Sequence, residues 1–266
     1  MQYFGICFRI FLHPLEITGV ICYNIIMYSY IIRFSEDDMP YKIALIDADQ
    51  TLLDFKRSER EALSDCLASR GIPVTPLIIE RYSKINDEHW KLLEAGKITR
   101  EYLKISRFEK LFSEFGYTYD PESMADDYWN TLAEKSYLLD GAENFCAQLF
   151  GYVRMFIITN GTASVQKGRF NPSPIAPYFE NCFISEEIGY AKPHVEYFNS
   201  VARMIPDFSP KETLVIGDSL TSDISGGNNA NLDTCWFNPN RLPFREDIKP
   251  TYTASSFDEI LRILLS

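Results

Sequence analysis

The segment IALIDADQTLLDF, residues 43 to 55, ends an apolar run on two carboxylates two residues apart, Asp47 and Asp49. The run reads as a buried strand, and in an open α/β sheet chemistry collects at the carboxyl ends of strands. On an extended backbone, residues i and i+2 lean to the same side, although a turn there can aim them differently. Left unpaired they would repel, so one of them is protonated or a cation sits between them. Thr51 follows with a hydroxyl and a backbone N–H, donors that suit a phosphate oxygen. The chemistry this allows is a carboxylate nucleophile, a second carboxyl for proton transfer, and a metal. A solvated acidic turn at a strand end is the plain alternative, and this segment alone does not decide between them.

Three more apolar runs end on polar residues. Thr159-Asn160-Gly161 follows Phe-Ile-Ile, and a hydroxyl, an amide and a glycine at a strand-to-helix turn can present backbone N–H groups to a small anion. Lys192 precedes Pro193, which as the first residue of a helix would hold the lysine extended at the loop edge. There it could neutralise a phosphate or a carboxylate nucleophile. The run Val215-Ile-Gly ends on Asp218, and Asp223 follows five residues later. Asp218 suits a hard, oxygen-ligated cation such as Mg²⁺. Asp223 reads as a further ligand, as an acid behind the ligands, or as a favourable charge at a helix start, with the last two preferred. Each of these turns has an ordinary structural reading on its own; together, four such ends on one parallel sheet converge on one crevice.

The elements between the motifs fit that arrangement. Helical spacing runs through Lys56 to Arg70, 75 to 94, 99 to 116 and Pro121 to Lys135, with Thr99 as a candidate N-cap and Gly71 as a terminator. Four helices with no strand between them mark an inserted helical cap over residues 56–136. From Tyr137 onward strand and helix alternate: a helix over Gly141 to Phe150, strands at Val153 to Thr159, Phe183 to Ser185, Leu214 to Gly217 and Thr234 to Phe237, a helix from Pro193 to Met204, another near Ser222, and a last one over Phe257 to Leu265. The fold class is therefore α/β, a doubly wound parallel sheet with core residues 39–55 and 137–266.

Composition narrows the partners. The 266 residues are 46% hydrophobic, enough for a packed core, and the formal net charge of −11 argues against wrapping a nucleic-acid polymer. Six scattered cysteines contain no CxxC pair, so neither a zinc site nor a redox dithiol is indicated, and reduced thiols in a cytoplasmic protein are expected. Residues 1–38 stand apart. The uncharged run Ile17 to Ile32 is shorter than the roughly 20 residues a spanning helix needs, and no signal-peptide pattern accompanies it. A membrane anchor is disfavoured; since Met39 stands just before the first strand, residues 1–38 read as an over-extended start. The oligomeric state stays open.

The motifs DADQT, TNG, KP and GDSLTSD, in that order, resemble the haloacid dehalogenase superfamily of phosphohydrolases with a type-1 helical cap, from Lys42 to the C-terminus. The resemblance implies a nucleophilic Asp47, Asp49 as general acid/base, and a catalytic countercharge in Lys192. It further implies Thr51, Thr159, Asn160 and Gly161 around the phosphate, and Mg²⁺ held by Asp47, the backbone carbonyl of Asp49, and Asp218, with Asp223 behind. The wording TNGTASVQKGRF, YFENCFISEEIGYAKP and IGDSLTSDISGGNNANLDTCWFN is similar to bacterial pyrimidine 5′-nucleotidases, which act on UMP, dUMP and dTMP. Sugar-phosphate and phosphoglycolate phosphatases, phosphomutases and dehalogenases are the family rivals, and Asp49 argues against a dehalogenase, which protonates no leaving oxygen. A non-catalytic binding protein on the same fold is the rival outside enzymology. Tyr82, Trp90, Tyr128 and Trp129 are candidates to stack a base, although aromatics at helical spacing are more often plain core. Gln50 and Asn231 stand where the family usually has glycine, and Asn171-Pro-Ser-Pro-Ile-Ala-Pro replaces a helix and turn.

Overall fold

The structure, a computed structural model, describes residues 39–266. The readings made for the N-terminal extension, together with Cys7 and Cys22, lie outside the described residues. Among the described residues no helix is long and apolar enough to cross a membrane.

Six strands make one all-parallel sheet: β1 (Ile43–Asp47), β2 (Arg154–Thr159), β3 (Phe179–Ile184), β4 (Thr213–Gly217), β5 (Asp233–Phe237) and β6 (Tyr252–Ala254). Their order is β3-β2-β1-β4-β5-β6, so β1 lies between β2 and β4 and the winding reverses beside it. That reversal opens a crevice at the carboxyl ends of the central strands. Both sheet faces are covered, which is why the central strands are apolar except at their ends. Ala44 and Ile46 of β1 pack toward Phe145, Leu149, Ile260 and Leu264, while Ile43 and Leu45 pack toward Tyr197, Phe198 and Val201 on the other face. The first group comes from α5 (Ala142–Leu149) and α10 (Phe257–Leu265), the second from α8 (Val195–Met204).

Between β1 and β2 stand α1 (Phe55–Ser69), α2 (Pro76–Glu94), α3 (Arg100–Phe115) and α4 (Pro121–Ala133). Each start is capped: Asp54 accepts from Arg57 N, Thr75 from Ile78 N, Thr99 from Tyr102 N, and Asp120 from Glu122 N and Ser123 N. Such caps satisfy amides that the helix leaves without partners. The four helices share an apolar core of their own, to which Val165 of α6 (Ala163–Phe170) also belongs. Tyr82 and Tyr128 lie in the middle of it, fully buried with Phe108 between them at ring distances of 5.1 and 5.4 Å.

The structure corrects several expectations. The strand expected over Phe183 to Ser185 begins at Phe179, and Ser185 opens the short helix α7 (Ser185–Ile188). Its first residues, Glu180 and Asn181, are exposed at a sheet edge, so no apolar pattern announces them. The other edge strand, β6, was missed for the same reason: two of its three residues are exposed. Pro193 does not start a helix; it follows a cis peptide bond, and α8 begins two residues later. The helix near Ser222 is a wide π-helical turn, Leu220–Ile224, leading into α9 (Ser225–Asn229). The four described cysteines, Cys66, Cys146, Cys182 and Cys235, are unpaired thiols.

Candidate active site

Asp47 is the last residue of β1, and its carboxylate is buried. Oδ1 accepts from Lys192 Nζ at 2.7 Å, and Oδ2 accepts from Thr51 Oγ1 at 3.2 Å. Thr51 is fully buried behind Asp47, so its hydroxyl serves that carboxylate and does not line the pocket. Past Asp47 the backbone leaves the strand, and Gln50 takes a left-handed conformation with φ of +63°. Few non-glycine residues adopt it, and just before it Asp49 is engaged by donors from α6 and not by the partners of Asp47. Asp49 accepts from Arg169 Nη1 at 2.5 Å on Oδ1 and from Gln166 Nε2 at 2.6 Å on Oδ2.

Lys192, expected at a strand end on the loop edge, stands instead in the loop after α7, beyond the end of β3 at Ile184, and is 2% exposed. Its ammonium donates to Asp47 Oδ1, to Asp223 Oδ1 at 2.6 Å and to the Ile158 carbonyl at 2.9 Å. Asn160 holds it there by its backbone: the amide donates to the Lys192 carbonyl and accepts from the Lys192 N–H, both at 2.8 Å. The Thr159 hydroxyl accepts from Gly161 N and from Gln166 Nε2, each at 3.0 Å. Asp223 is fixed from both sides, since Oδ2 accepts from Ser219 N at 3.1 Å. Gly217 leaves room for it: a Cβ there would lie 2.2 Å from Asp223 Oδ2.

One lysine faces too many acids. Burial pushes the Asp47 carboxyl well up from its usual range; Lys192 pulls it back, and Asp223, Asp218 and Asp49 push it up again. Burial alone would lower Lys192, but Asp223 and Asp47 outweigh that and keep it an ammonium. Asp218, half-buried, is pushed up to about 7 by burial first and then by Asp223, and among the described residues no Lys or Arg forms an ion pair with it. Carboxylate oxygens of Asp47, Asp218 and Asp223 lie within 4.8 Å of one another. An all-oxygen donor set with surplus negative charge fits Mg²⁺. Asp223 spends both oxygens on Lys192 and Ser219, and Asp47 spends both on Lys192 and Thr51, which leaves Asp218 as the carboxylate of the three freest to take a cation.

These residues line a pocket of about 170 Å³, closed on the helical side by Phe55, Trp90 and Glu94. A chamber of about 670 Å³ adjoins it, sharing Phe55, Trp90, Glu94, Asp218 and Ser219 and reaching Trp236 and Asn238. Of the four aromatics considered for stacking a base, only Trp90 lines either space. Tyr82 and Tyr128 are core, and Trp129 packs near Lys104 and Arg107. Sequence reasoning missed Phe55, Glu94, Gln166, Arg169 and Ser219. Glu94 stands one helical turn after Trp90, a spacing that could have flagged it. Nothing in the sequence separates Gln166 and Arg169 from exposed helix polars.

A strand-end nucleophile candidate, a buried lysine and an acidic cation site meet at the switch point of a parallel sheet. The family model for haloacid dehalogenase-like hydrolases matches residues 41–231. The chain belongs to that family. It is a hydrolase of the α/β class, 40% identical over 224 residues to the HAD-hydrolase YfnB of Bacillus subtilis, covering 84% of this chain and 95% of that one. The magnesium-bound crystal structure of YfnB superposes with a TM-score of 0.81 over 84% of this chain and 98% of that one. The pyrimidine 5′-nucleotidase PynA of Streptococcus pneumoniae is 38% identical over 227 residues, covering 85% of this chain and 96% of that protein. The pyrimidine 5′-nucleotidase YjjG of Escherichia coli is 30% identical over 226 residues, 85% of this chain and 99% of that protein.

Proposed function

We propose that this hydrolase cleaves phosphate monoesters through an aspartyl phosphate, and that its substrates are pyrimidine nucleoside 5′-monophosphates such as UMP, dUMP and dTMP. The observation that carries the reading is the buried Asp47–Lys192–Asp223 array at the crevice, beside a chamber large enough for a nucleoside. Near full-length similarity to two pyrimidine nucleotidases supports the substrate class. Residues 56–136 act as a cap over the core formed by 39–55 and 137–266. The free thiols of Cys66, Cys146, Cys182 and Cys235 agree with a cytoplasmic protein.

Asp47 attacks phosphorus in line, and the bond from phosphorus to the ester oxygen breaks. Asp49, protonated, gives its proton to the departing nucleoside oxygen. A water then attacks the aspartyl phosphate, Asp49 takes a proton from that water, and inorganic phosphate and free Asp47 result. Lys192 and the backbone N–H groups of the Thr159–Gly161 turn offset charge on the transferring phosphoryl group. Magnesium, held by Asp47, Asp218 and the backbone carbonyl of Asp49, would supply further neutralisation of that charge. Trp90 and Phe55, at the boundary of pocket and chamber, offer ring faces to the leaving nucleoside.

The chamber favours this reading over a phosphoglycolate phosphatase, because a two-carbon leaving group would leave most of about 670 Å³ unfilled. A phosphate-release screen over pyrimidine and purine monophosphates, sugar phosphates and phosphoglycolate, with Mg²⁺ and with chelator, tests it. UMP, dUMP and dTMP should give the highest kcat/KM; preference for a small phosphorylated acid or sugar would reject the substrate class.

A further inference from the structure

We propose that Gln166 and Arg169 are positioning residues for Asp49, holding its carboxylate out of the acidic cluster so that it serves proton transfer and not metal binding. The inference rests on the phosphatase reading above.

Asp49 stands two residues from Asp47, yet it is not part of the group formed by Asp47, Asp218 and Asp223. Each of its oxygens is taken by a donor from α6: Arg169 Nη1 at 2.5 Å and Gln166 Nε2 at 2.6 Å. An ionised carboxylate beside a divalent cation would swing toward it, since hard oxygen donors are what Mg²⁺ prefers. Two directional bonds on different oxygens oppose that rotation. They still leave lone pairs for a proton, because a carboxylate offers about four acceptor sites.

The holding residues are themselves built in. Gln166 is 2% exposed, and its one amide nitrogen also donates to Thr159 Oγ1, so the same group ties Asp49 to the turn expected to bind phosphate. Gly161 in that turn is required by this contact, because a Cβ there would lie 2.1 Å from Gln166 Nε2. Arg169 is fully buried. Its Nε donates to the Lys135 carbonyl at 3.2 Å, its own carbonyl accepts from Ser136 Oγ at 2.5 Å, and Phe55 lies under the guanidinium at 5.5 Å. The guanidinium is thus anchored on the chain segment that leaves α4.

A packing role does not account for this pair. Gln166 Oε1 and Arg169 Nη2 are both buried without a partner. A buried polar atom left unpaired is destabilising, and apolar residues would fill the same volume without that cost. Two polar side chains kept at a loss in stability, both bonded to one carboxylate, point to what that carboxylate does.

The test compares two leaving groups. p-Nitrophenolate departs without a proton, whereas the 5′-oxygen of UMP needs one, and kcat/KM reports the steps up to departure. Arg169→Met and Gln166→Met, each assayed with Mg²⁺, should lower the ratio of kcat/KM for UMP to that for p-nitrophenyl phosphate by about 100-fold, the low end of what general acid catalysis contributes. Arg169→Lys, which keeps the charge but only one useful bond, should fall between. Parallel losses on the two esters, leaving the ratio unchanged, overturn the positioning role. If Arg169→Met does not fold, Gln166→Met decides alone, because it removes only a neutral amide. Wild-type enzyme that releases phosphate from neither ester overturns the phosphatase reading and the inference with it; wild-type turnover with unchanged ratios overturns the inference only.

Discussion

Replacing Lys192 by Met should cost about 3–5 kcal/mol of stability in metal-free buffer at pH 7, the range for breaking a buried ion pair from one side. The ammonium is 2% exposed and sits at 2.7 Å from Asp47 and 2.6 Å from Asp223. At an effective dielectric constant of about 20 each contact is worth roughly 6 kcal/mol of gross attraction. The variant need not lose that much, because a stranded carboxylate can take up a proton. For a group of ordinary pKa near 4, doing so at pH 7 costs about 4 kcal/mol, which caps the loss per carboxylate. The same escape fixes the pH dependence. A carboxyl whose folded pKa is raised destabilises the fold above its unfolded pKa of about 4, and increasingly so until the folded pKa is reached. Each proton taken up therefore becomes about 2.7 kcal/mol cheaper between pH 7 and pH 5. Lys192 in the native protein, raised above its ordinary value, contributes fully below that value and loses its contribution only in strong alkali, so it adds no slope between pH 5 and 7. Urea denaturation of both proteins in EDTA at pH 5 and 7 measures the difference. A loss at pH 7 below about 1 kcal/mol, or one that does not shrink at pH 5, would refute the picture of one buried cation serving two carboxylates.

Four further outcomes follow from the site. Asp47→Asn should abolish phosphate release while leaving thermal unfolding close to that of the parent; turnover within tenfold of the parent would remove Asp47 as nucleophile. EDTA should stop phosphate release and Mg²⁺ restore it, with Asp218→Asn needing at least tenfold more Mg²⁺. Because Asp218 is pushed up to about 7, Mg²⁺ should bind the parent about tenfold more weakly at pH 6 than at pH 8, a dependence that calorimetry should find weakened in Asp218→Asn. Trp90→Ala should raise KM for UMP several-fold with a smaller effect on phosphoglycolate; equal effects would take Trp90 away from the nucleoside.

Much of the architecture was legible because buried parallel strands leave a plain trace. β1, β2, β4 and β5 are buried along nearly their whole length, so each must be an apolar run, and the polar residues that stop it mark a sheet end. A helix start was also legible at Thr99, which does cap α3 by accepting from Tyr102 N. Asn231, read as a tolerated replacement for glycine, does adopt a left-handed backbone with φ of +54°. Edge strands β3 and β6 left no such trace, because exposed positions are free of the apolar constraint.

By itself, then, the sequence determined that three strand ends, those of β1, β2 and β4, carry polar groups, and that a run of helices separates the first from the rest. Only the tertiary structure decided how those groups divide their work. Whether Lys192 is solvated or buried depends on Asn160 clasping its backbone from a strand end, 32 positions away. Whether Trp90 or Tyr82 meets a substrate depends on which side of α2 the neighbouring helices cover. Asp47 and Asp49, alike in type and two residues apart, are set to different work by partners 145 and 120 residues away, Lys192 and Arg169. Local sequence sets backbone preference and burial, but a carboxylate's role is set by the charges and donors that face it, and here those arrive from distant parts of the chain.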